Sequence, residues 1–306
     1  MTAPYTETSM TVQYREEPCR SALNRVARMP FAWSLNPYMG CVHRCTFCYV
    51  RGFERRADRP ADERYGASIR VKINLVEVLR REPARASWKR ELVAIGAATD
   101  PYQPAEGRYR LTRGALQTLG DARTPLSLVT RGPMIVRDVD VLQHAARRGG
   151  AEVTFSVPTL DPEIWRRTEP GTAPPRQRLR ALRVLVDAGI DASVGLAPVL
   201  PGISDRPELL ADVVRAARDA GATGIWCNVL YLQPGTREYF LSRLARDWPD
   251  LLPRYEALYR RPYVDRSVAE PIRRHVAMLR EAHGIADRRS APLEPVPAPE
   301  QLPLAM

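Results

Sequence analysis

Three cysteines close together in the chain are the residues best suited to bind a metal centre. Cys41, Cys45 and Cys48 follow the spacing C-x3-C-x2-C. Thiolates are soft ligands that select zinc and iron–sulfur clusters. A structural zinc ion and a ferredoxin-type cluster each require four protein ligands. Three cysteines on one loop would therefore leave one coordination position open, and an open position on a metal is where chemistry can occur.

Two other interpretations of this segment compete with an open iron–sulfur site. In the first, His43 completes a Cys3His zinc site, although its ring would have to turn back onto the same small loop, whereas zinc modules usually take further ligands from a separate segment. In the second, the thiols are merely buried, but three loop thiols beside Arg44 and Thr46 are poor core material. The ligand count favours the open iron–sulfur site.

The composition is that of an ordinary globular protein. Of the 306 residues, 44% are hydrophobic and 26% are charged, which excludes a wholly disordered, collagenous or coiled-coil chain. No apolar run is long enough to span a membrane, and residues 1–10 do not have the pattern of a secretory signal. We therefore expect a cytoplasmic protein without a disulfide framework or a membrane partner. The net charge of +11 weakly favours a polyanionic partner.

Short apolar runs alternate with amphipathic helical patterns from residue 31 onward. The predicted strands are Phe31–Asn36, Leu92–Ala97, Leu126–Thr130, Glu152–Val157, Asp191–Ala197 and Gly224–Leu230, with a further one at Ser68–Ile73. The predicted helices include Leu111–Leu119, Asp138–Arg148, Arg178–Asp187 and Pro207–Ala220. This alternation indicates an α/β fold with a parallel sheet and helical crossovers. The sheet could be open and doubly wound or barrel-like, and in both cases functional residues follow the strands.

The cysteine segment resembles the radical S-adenosylmethionine (SAM) superfamily. The three cysteines, with the aromatic Phe47 before the last of them, follow the first predicted strand of the β/α series. The resemblance implies a [4Fe–4S] cluster held by Cys41, Cys45 and Cys48, with SAM chelated to the fourth iron. One electron would cleave SAM to a 5′-deoxyadenosyl radical, which abstracts hydrogen from a substrate. The implied fold is a partial (β/α)6 barrel of the TIM type, in agreement with the six predicted units.

A longer pattern is similar to the spore photoproduct lyase-related branch of that superfamily, which is also described as DNA repair photolyase-like. It comprises residues 36–49, in which His43 belongs to the usual pattern of the branch, and the later segment Thr99-Asp100-Pro101-Tyr102-Gln103-Pro104. One departure concerns the hydrogen-donating thiol of the lyase, whose position is occupied here by Ala97. We therefore expect that this chain does not carry out the lyase reaction by that mechanism.

The resemblance also implies residues that contact SAM. Phe47 and Tyr49 would lie beside the adenine, Thr99 and Asp100 near the amino group, and Ser156 and Arg178 near the ribose and carboxylate; Pro198 would shape the adenine pocket through its backbone. Structural roles compete with several of these assignments. Thr99 and Asp100 could form a local turn, Arg178 could lie on a solvated helix face, and Pro198 could simply end a strand. No catalytic residue is assigned.

Three further residues are expected to be structural or incidental. Cys227 lies in the last predicted strand, where a core position is favoured because free cysteine is commonly buried; a position facing the barrel lumen would allow hydrogen donation. Cys19 falls in the irregular N-terminal segment and is expected to be incidental. Tyr102 is expected to be a packed aromatic residue.

These observations predict four segments: an irregular N-terminal arm over residues 1–30, a radical SAM partial barrel over 31–232, a helical C-terminal extension over 233–287, and a proline-rich disordered tail over 288–306. The predicted function is that of a radical SAM enzyme with a [4Fe–4S] cluster, SAM and a one-electron donor such as flavodoxin or ferredoxin. Its substrate is unidentified, with nucleic acid among the candidates. The alternative is a non-catalytic, metal-stabilised nucleic-acid-binding protein.

Overall fold

The computed structural model describes residues 11–288 and Leu293, and its main element is a sheet of mostly parallel strands. The strands are β1 (Gln13–Glu17), β2 (Leu23–Arg25), β3 (Trp33–Leu35), β4 (Tyr38–Met39), β5 (Ser68–Lys72), β6 (Val93–Ile95), β7 (Leu126–Thr130), β8 (Ala151–Ser156), β9 (Asp191–Val199), β10 (Gly224–Val229) and β11 (Ala286–Asp287). The α-helices are α1 (Val50–Arg56), α2 (Leu75–Arg81), α3 (Ala105–Tyr109), α4 (Leu111–Asp121), α5 (Val139–Arg148), α6 (Pro162–Thr168), α7 (Pro175–Asp187), α8 (Pro207–Asp219), α9 (Thr236–Asp247), α10 (Leu252–Leu258) and α11 (Arg266–Ala282). Short 3₁₀ helices cover Pro133–Asp138 and Pro249–Leu251.

The main sheet has the strand order β11-β10-β9-β8-β7-β6-β3-β2. All neighbouring strands are parallel except β2, which pairs antiparallel with β3 at one edge. Helices connect the successive parallel strands from β6 to β10, as parallel pairing requires. Within the described residues β2 and β11 do not pair with each other, so the sheet does not close. The predicted α/β fold with a parallel sheet is confirmed, as an open sheet.

The parallel strands form because their sequences are apolar enough to be covered on both faces. Every residue of β8 is buried, and Val153 and Phe155 are fully inaccessible. Leu126 and Leu128 of the neighbouring β7 lie in the same core. Burying a side chain of this size contributes roughly 1.5–3 kcal/mol relative to exposing it. The near-continuous apolar runs that predicted these strands therefore also form the centre of the core.

A second, three-stranded sheet lies beside the first and has the order β1-β5-β4. The additional strand predicted at residues 68–73 is β5, which pairs parallel with β1 and antiparallel with β4. The described part of the N-terminal arm, predicted to be irregular, thus contains the strands β1 and β2. The residues of β1 are mostly exposed and charged, so no apolar alternation marked it, and backbone pairing with β5 holds it in place.

The C-terminal segment consists mainly of helices, and it ends on the main sheet. Helix α11 packs against α8 and β10, while α9 contacts α1 next to the cysteine segment. The short strand β11 then adds to the edge of the sheet beside β10. No helix in residues 11–288 is long and apolar enough to cross a membrane. The tail predicted to be disordered over 288–306 lies outside the described residues, apart from Arg288 and Leu293.

Candidate functional site

The loop that connects β4 to α1 brings the three predicted cysteine ligands together. Cys41 and Cys45 are buried and Cys48 is half-buried. Burial raises the pKa of the Cys45 and Cys48 thiols, and the charges of the neighbouring cysteines raise it further. The three thiolates would therefore repel one another in a poorly solvated volume. A polynuclear cation that binds all three would relieve this repulsion.

The donor set fits an iron–sulfur cluster better than a single ion. Within residues 11–288, no three His, Cys, Asp or Glu side chains converge closely enough to hold one metal ion. A structural zinc ion takes four protein ligands, whereas three thiolates on one loop suit a cluster that keeps one iron open. The donor types and their number therefore fit a cluster.

His43 is oriented toward a carboxylate at the end of β6. Its Nδ1 lies 3.3 Å from Oδ2 of Asp100. Burial by itself lowers the pKa of His43, but the charges of Cys41 and Asp100 raise it to about 10. The Nδ1 side of the ring is thus occupied by its contact with Asp100. The same contact ties the cysteine loop to the segment that follows β6.

The first half of the cysteine loop is held by two buried side chains. Thr99 donates from Oγ1 to the carbonyl of Gly40 at 2.8 Å. Gln103, which is fully buried, donates to the same carbonyl at 3.1 Å and accepts from the amide of Val42 at 3.2 Å. Gly40 has φ of +90°, a conformation that glycine adopts without steric cost. These bonds fix the backbone on both sides of Cys41.

The middle of the loop is hydrogen-bonded to the last residue of α6 and to the segment that follows it. The amide of Thr46 donates to the carbonyl of Thr168 at 2.9 Å, and the amide of Gly171 donates to the carbonyl of His43 at 3.1 Å. A Cβ atom at Gly171 would lie 2.4 Å from the carbonyl oxygen of Val42. Only glycine permits this close approach, and the contact sets the path of the loop toward Cys45.

The C-terminal segment holds the second half of the loop. Thr236, at the first residue of α9, donates from Oγ1 to the carbonyl of Cys48 at 3.1 Å. Gln233 donates from Nε2 to the carbonyl of Tyr49 at 2.6 Å. These residues lie more than 180 positions away in the chain. Correct placement of Cys48 therefore depends on the segment beyond the parallel strands.

The two predicted aromatic contacts of SAM occupy different environments. Phe47 is buried in the main core beside Cys45, and the Arg131 guanidinium lies 5.7 Å from its ring centre. Tyr49 is 42% exposed, and its hydroxyl donates a hydrogen bond to the carbonyl of Ala97. Tyr49 therefore lies at the end of β6 where the lyase-related pattern would place a thiol. The adenine contact of both residues stays a prediction.

Asp100 is a fully engaged buried carboxylate. Its Oδ1 accepts from the amide of Tyr102 at 2.9 Å and from Oγ1 of Thr130 at 2.7 Å, and its Oδ2 accepts from the amide of Arg131 at 2.7 Å. Burial opposes its charge, but His43 and these hydrogen bonds lower the pKa of Asp100 to about 2. Asp100 forms the predicted local turn through its bond to Tyr102. It also joins the ends of β6 and β7 to the cysteine loop.

Ser156 and Arg178 are brought together, but Arg178 does not lie on a solvated helix face. Its side chain is fully buried. The guanidinium donates to the carbonyl of Ser156 at 2.8 Å and to Glu169 at 3.1 and 3.2 Å. It also donates to Oγ1 of Thr172 at 2.5 Å. The alternative of a solvated arginine is wrong, because Glu169 and the end of β8 provide buried partners.

Arg131 is a residue that the sequence analysis missed. It directly follows β7, donates from Nε to Glu169 at 2.6 Å, and is close enough to Cys45 for its charge to lower the pKa that burial raises. Its Nη2 lies 3.4 Å from the carbonyl of Ala197 in β9. The rule that functional residues follow parallel strands could have identified it.

The remaining assignments concern strand ends and the core. Pro198 does not end its strand, since β9 continues to Val199. The register between β9 and β10 shifts after Cys227, and such an irregularity accommodates a proline within a sheet.

Cys227 is half-buried in β10 and packs against the core. Tyr102 is buried, as expected of a packed aromatic residue, and donates to Asp138 at 3.0 Å. Cys19 is half-buried and its backbone bonds to Asn74.

One protein-family match covers the cysteine loop and most of the parallel sheet. The radical SAM superfamily matches residues 35–214. An uncharacterized protein of Mycobacterium tuberculosis is 40% identical over 288 residues, covering 92% of this chain and 85% of the relative. A radical SAM Nα-GlyT isomerase of Pseudomonas phage M6 is 25% identical over 172 residues, covering 55% of this chain and 33% of the isomerase.

Among solved structures, spore photoproduct lyase has a similar fold. A double mutant of that enzyme with bound AdoMet and dinucleoside spore photoproduct superposes with a TM-score of 0.68. The superposition covers 88% of this chain and 79% of the lyase chain, at 17% sequence identity. This likeness establishes the fold that positions the site.

Proposed function

The chain belongs to the radical SAM superfamily, whose members use a [4Fe–4S] cluster and SAM, and from this premise we propose that Cys41, Cys45 and Cys48 hold that cluster. The observation that carries the proposal is the placement of three free thiols, two of them buried, on one loop whose backbone is held by hydrogen bonds beside Cys41 and at Cys48. When bound, the cluster would supply one electron to SAM and generate a 5′-deoxyadenosyl radical that abstracts hydrogen from the substrate.

The residues of this chain position the site and exclude water from it. Thr99 and Gln103 fix the backbone at Cys41, and Gln233 and Thr236 fix it at Cys48. The burial of Cys41 and Cys45 keeps solvent from two of the ligands. Because the ligands are fixed before the cofactors bind, little conformational entropy is lost when they do.

We infer that SAM and the substrate enter at the carboxyl ends of β6 to β9, the edge at which parallel sheets carry their functional sites. Arg131 and Ser156 lie there, as do the partly exposed ring of Tyr49 and the β9 residue Pro198. We assign the SAM carboxylate to Arg131 and the adenine to Phe47 and Tyr49. Arg178 holds Ser156 and Glu169 in place, so its contribution to SAM binding acts through them.

The reaction requires an external one-electron donor, for which flavodoxin or ferredoxin is suitable. The substrate class that we propose to test first is nucleic acid, because the chain carries a net charge of +11 and its structural relative was solved with a dinucleoside photoproduct. Ala97 places no thiol at the end of β6. The reaction is therefore proposed to differ from that of the lyase in its final hydrogen transfer.

Anaerobic reconstitution with iron and sulfide tests the proposal. The protein is expected to bind about four irons and to form 5′-deoxyadenosine from SAM in the presence of dithionite. Alanine variants of Cys41, Cys45 and Cys48 should each lose the cluster and SAM cleavage. Cys19→Ala and Cys227→Ala are the matched controls and should retain the cluster. Iron-loaded protein that never cleaves SAM would overturn the proposal.

Metal analysis of protein purified without oxygen tests the alternative of a metal-stabilised nucleic-acid-binding protein. A single zinc ion per chain, together with salt-dependent DNA affinity, would favour that alternative. About four irons and acid-labile sulfide per chain, with no salt-dependent DNA affinity, would favour the cluster instead.

A further inference from the structure

Arg51 is a fully buried arginine on α1, three residues after Cys48. Its Nη1 donates to the carbonyls of Ala61 and Asp62 at 2.8 and 2.6 Å. Its Nε and Nη2 lie 3.4 Å from the carbonyls of Cys45 and Arg44. The guanidinium is thus bound by neutral carbonyl groups and is attached directly to the backbone of the cysteine loop.

Two aromatic rings enclose the same guanidinium. Its central carbon lies 3.6 Å from the ring centre of Tyr239 and 4.6 Å from that of Tyr65. Within residues 11–288, no carboxylate lies within ion-pair distance of Arg51. The acidic residues Asp62 and Glu54 pair with Arg64 and Arg59 instead. A buried charge without a countercharge is costly. The fold therefore holds a positive charge whose partner is still to be supplied.

The thiols beside Arg51 are the nearest groups that can supply the negative charge. Each thiolate bound to a cluster adds one negative charge to the site, and one-electron reduction adds another. Arg51 lies three residues after Cys48 and reaches back to the carbonyls of Cys45 and Arg44, so its charge stands beside the ligand loop. Tyr65, which is 2% exposed, places its hydroxyl 3.7 Å from the Cys48 sulfur. Net charge and hydrogen bonds to sulfur both set the potential of an iron–sulfur cluster.

We propose that Arg51 is the buried positive partner of the cluster and that, with the Tyr65 hydroxyl as a hydrogen-bond donor to Cys48, it stabilises the reduced state of the cluster. This inference rests on the proposed function, because it requires a cluster on Cys41, Cys45 and Cys48. Arg51 and Tyr65 are positioning residues that act through charge and through the cysteine ligands. Arg131, which also lies near Cys45, is paired with Glu169. Arg44, within the loop, is only half-buried and bonds to the carbonyl of Gly66. Arg51 is the fully buried arginine that bonds to the loop and faces no carboxylate in the described residues.

An EPR-monitored redox titration of the reconstituted full-length protein without SAM tests the inference. In Arg51→Gln, the ratio of reduced to oxidised cluster at a given potential should fall at least tenfold, which corresponds to a midpoint about 59 mV more negative. Tyr65→Phe should shift the ratio in the same direction by about threefold. Arg55→Gln and Tyr109→Phe are the matched controls, since both residues are surface groups away from the cysteine ligands, and both should titrate like the unmodified protein.

The outcomes separate this inference from the proposed function. An Arg51→Gln protein with full iron content and an unchanged midpoint overturns the inference. If Arg51→Gln fails to assemble a cluster, Tyr65→Phe decides, and an unchanged midpoint in that variant also overturns it. An unmodified protein that assembles no cluster overturns the proposed function and this inference together. A normal cluster that cleaves SAM but does not respond to either substitution overturns the inference alone.

Discussion

Arg51 and Arg178 are both fully buried, yet their surroundings differ in charge. Arg178 faces the Glu169 carboxylate at 3.1 and 3.2 Å, and Glu169 also accepts from Arg131. Among the described residues, Arg51 faces carbonyl groups and two aromatic rings. In the first arrangement, a buried carboxylate of the protein faces the arginines. The second leaves a positive charge beside the cysteine loop for another group to balance.

The difference shows that burial of an arginine does not by itself define its role. The Arg131–Glu169–Arg178 group links the ends of β7 and β8 to the start of α7, so it stabilises the frame of the site. Arg51 bonds to the loop that carries the ligands. Changes in the first group should therefore affect folding, whereas changes around Arg51 should affect the cluster.

The largest expected effect follows from Glu169→Gln. The substitution leaves Arg131 and Arg178 without their shared carboxylate, and breaking a buried ion pair in this way costs about 3–5 kcal/mol. Urea unfolding should show a decrease of that size in the free energy of unfolding. Glu163→Gln, an exposed position on α6, is the control and should change little. A loss below about 1 kcal/mol for Glu169→Gln would contradict the compensated arrangement.

The pH dependence of stability sharpens the same point. Burial alone would raise the pKa of Glu169, but Arg178 and Arg131 lower it below its ordinary value. Its stabilising contribution is therefore complete above about pH 4.3, the ordinary pKa of glutamate, and is lost as the pH falls through the lower folded-state pKa. The stability difference between the unmodified protein and Glu169→Gln should shrink over that acidic range. A difference that stayed constant down to about pH 2, well below the ordinary glutamate pKa, would exclude this linkage.

A smaller effect is expected from Gln103→Ala. This change removes hydrogen bonds to Gly40 and Val42 on both sides of Cys41, and leaving buried groups unpaired costs about 1–3 kcal/mol. The reconstituted variant should also release iron to a chelator faster than the unmodified protein. Gln117→Ala, on the exposed side of α4, provides the control. Equal iron release in all three proteins would show that Gln103 does not hold the ligand loop.

The smallest effect is expected from Thr236→Val, which removes one hydrogen bond to the carbonyl of Cys48. The expected loss in the free energy of unfolding is about 0.5–1.5 kcal/mol, accompanied by a modest increase in iron release. Thr223→Val, whose hydroxyl bonds to residues at the start of β9, tests whether any threonine substitution has the same result. Iron release that increased equally in both variants would argue against a specific contact at Cys48.

The sequence predicted the parts of the fold that depend on local pattern. The apolar runs of β7 and β8 marked buried parallel strands, and the predicted bounds of β7 agree with the structure. The exposed strand β1 carries no such pattern, because its position depends on pairing with β5. The three cysteines were recognisable from their spacing alone.

The contacts around the cysteines were less accessible to sequence reasoning. Gln103, Gln233 and Thr236 reach the loop across 61 to 188 residues, and nothing in their local sequence indicates these partners. Arg178 stands among several arginines, so its burial became clear only from the position of Glu169.

EPR spectroscopy of the reduced, reconstituted protein with and without SAM tests the central claim most directly. If three thiolates leave one iron open, addition of SAM should change the cluster spectrum, and 5′-deoxyadenosine should then form. A spectrum that is identical with and without SAM, in protein with full iron content, would show that no iron is open to SAM and would contradict the account.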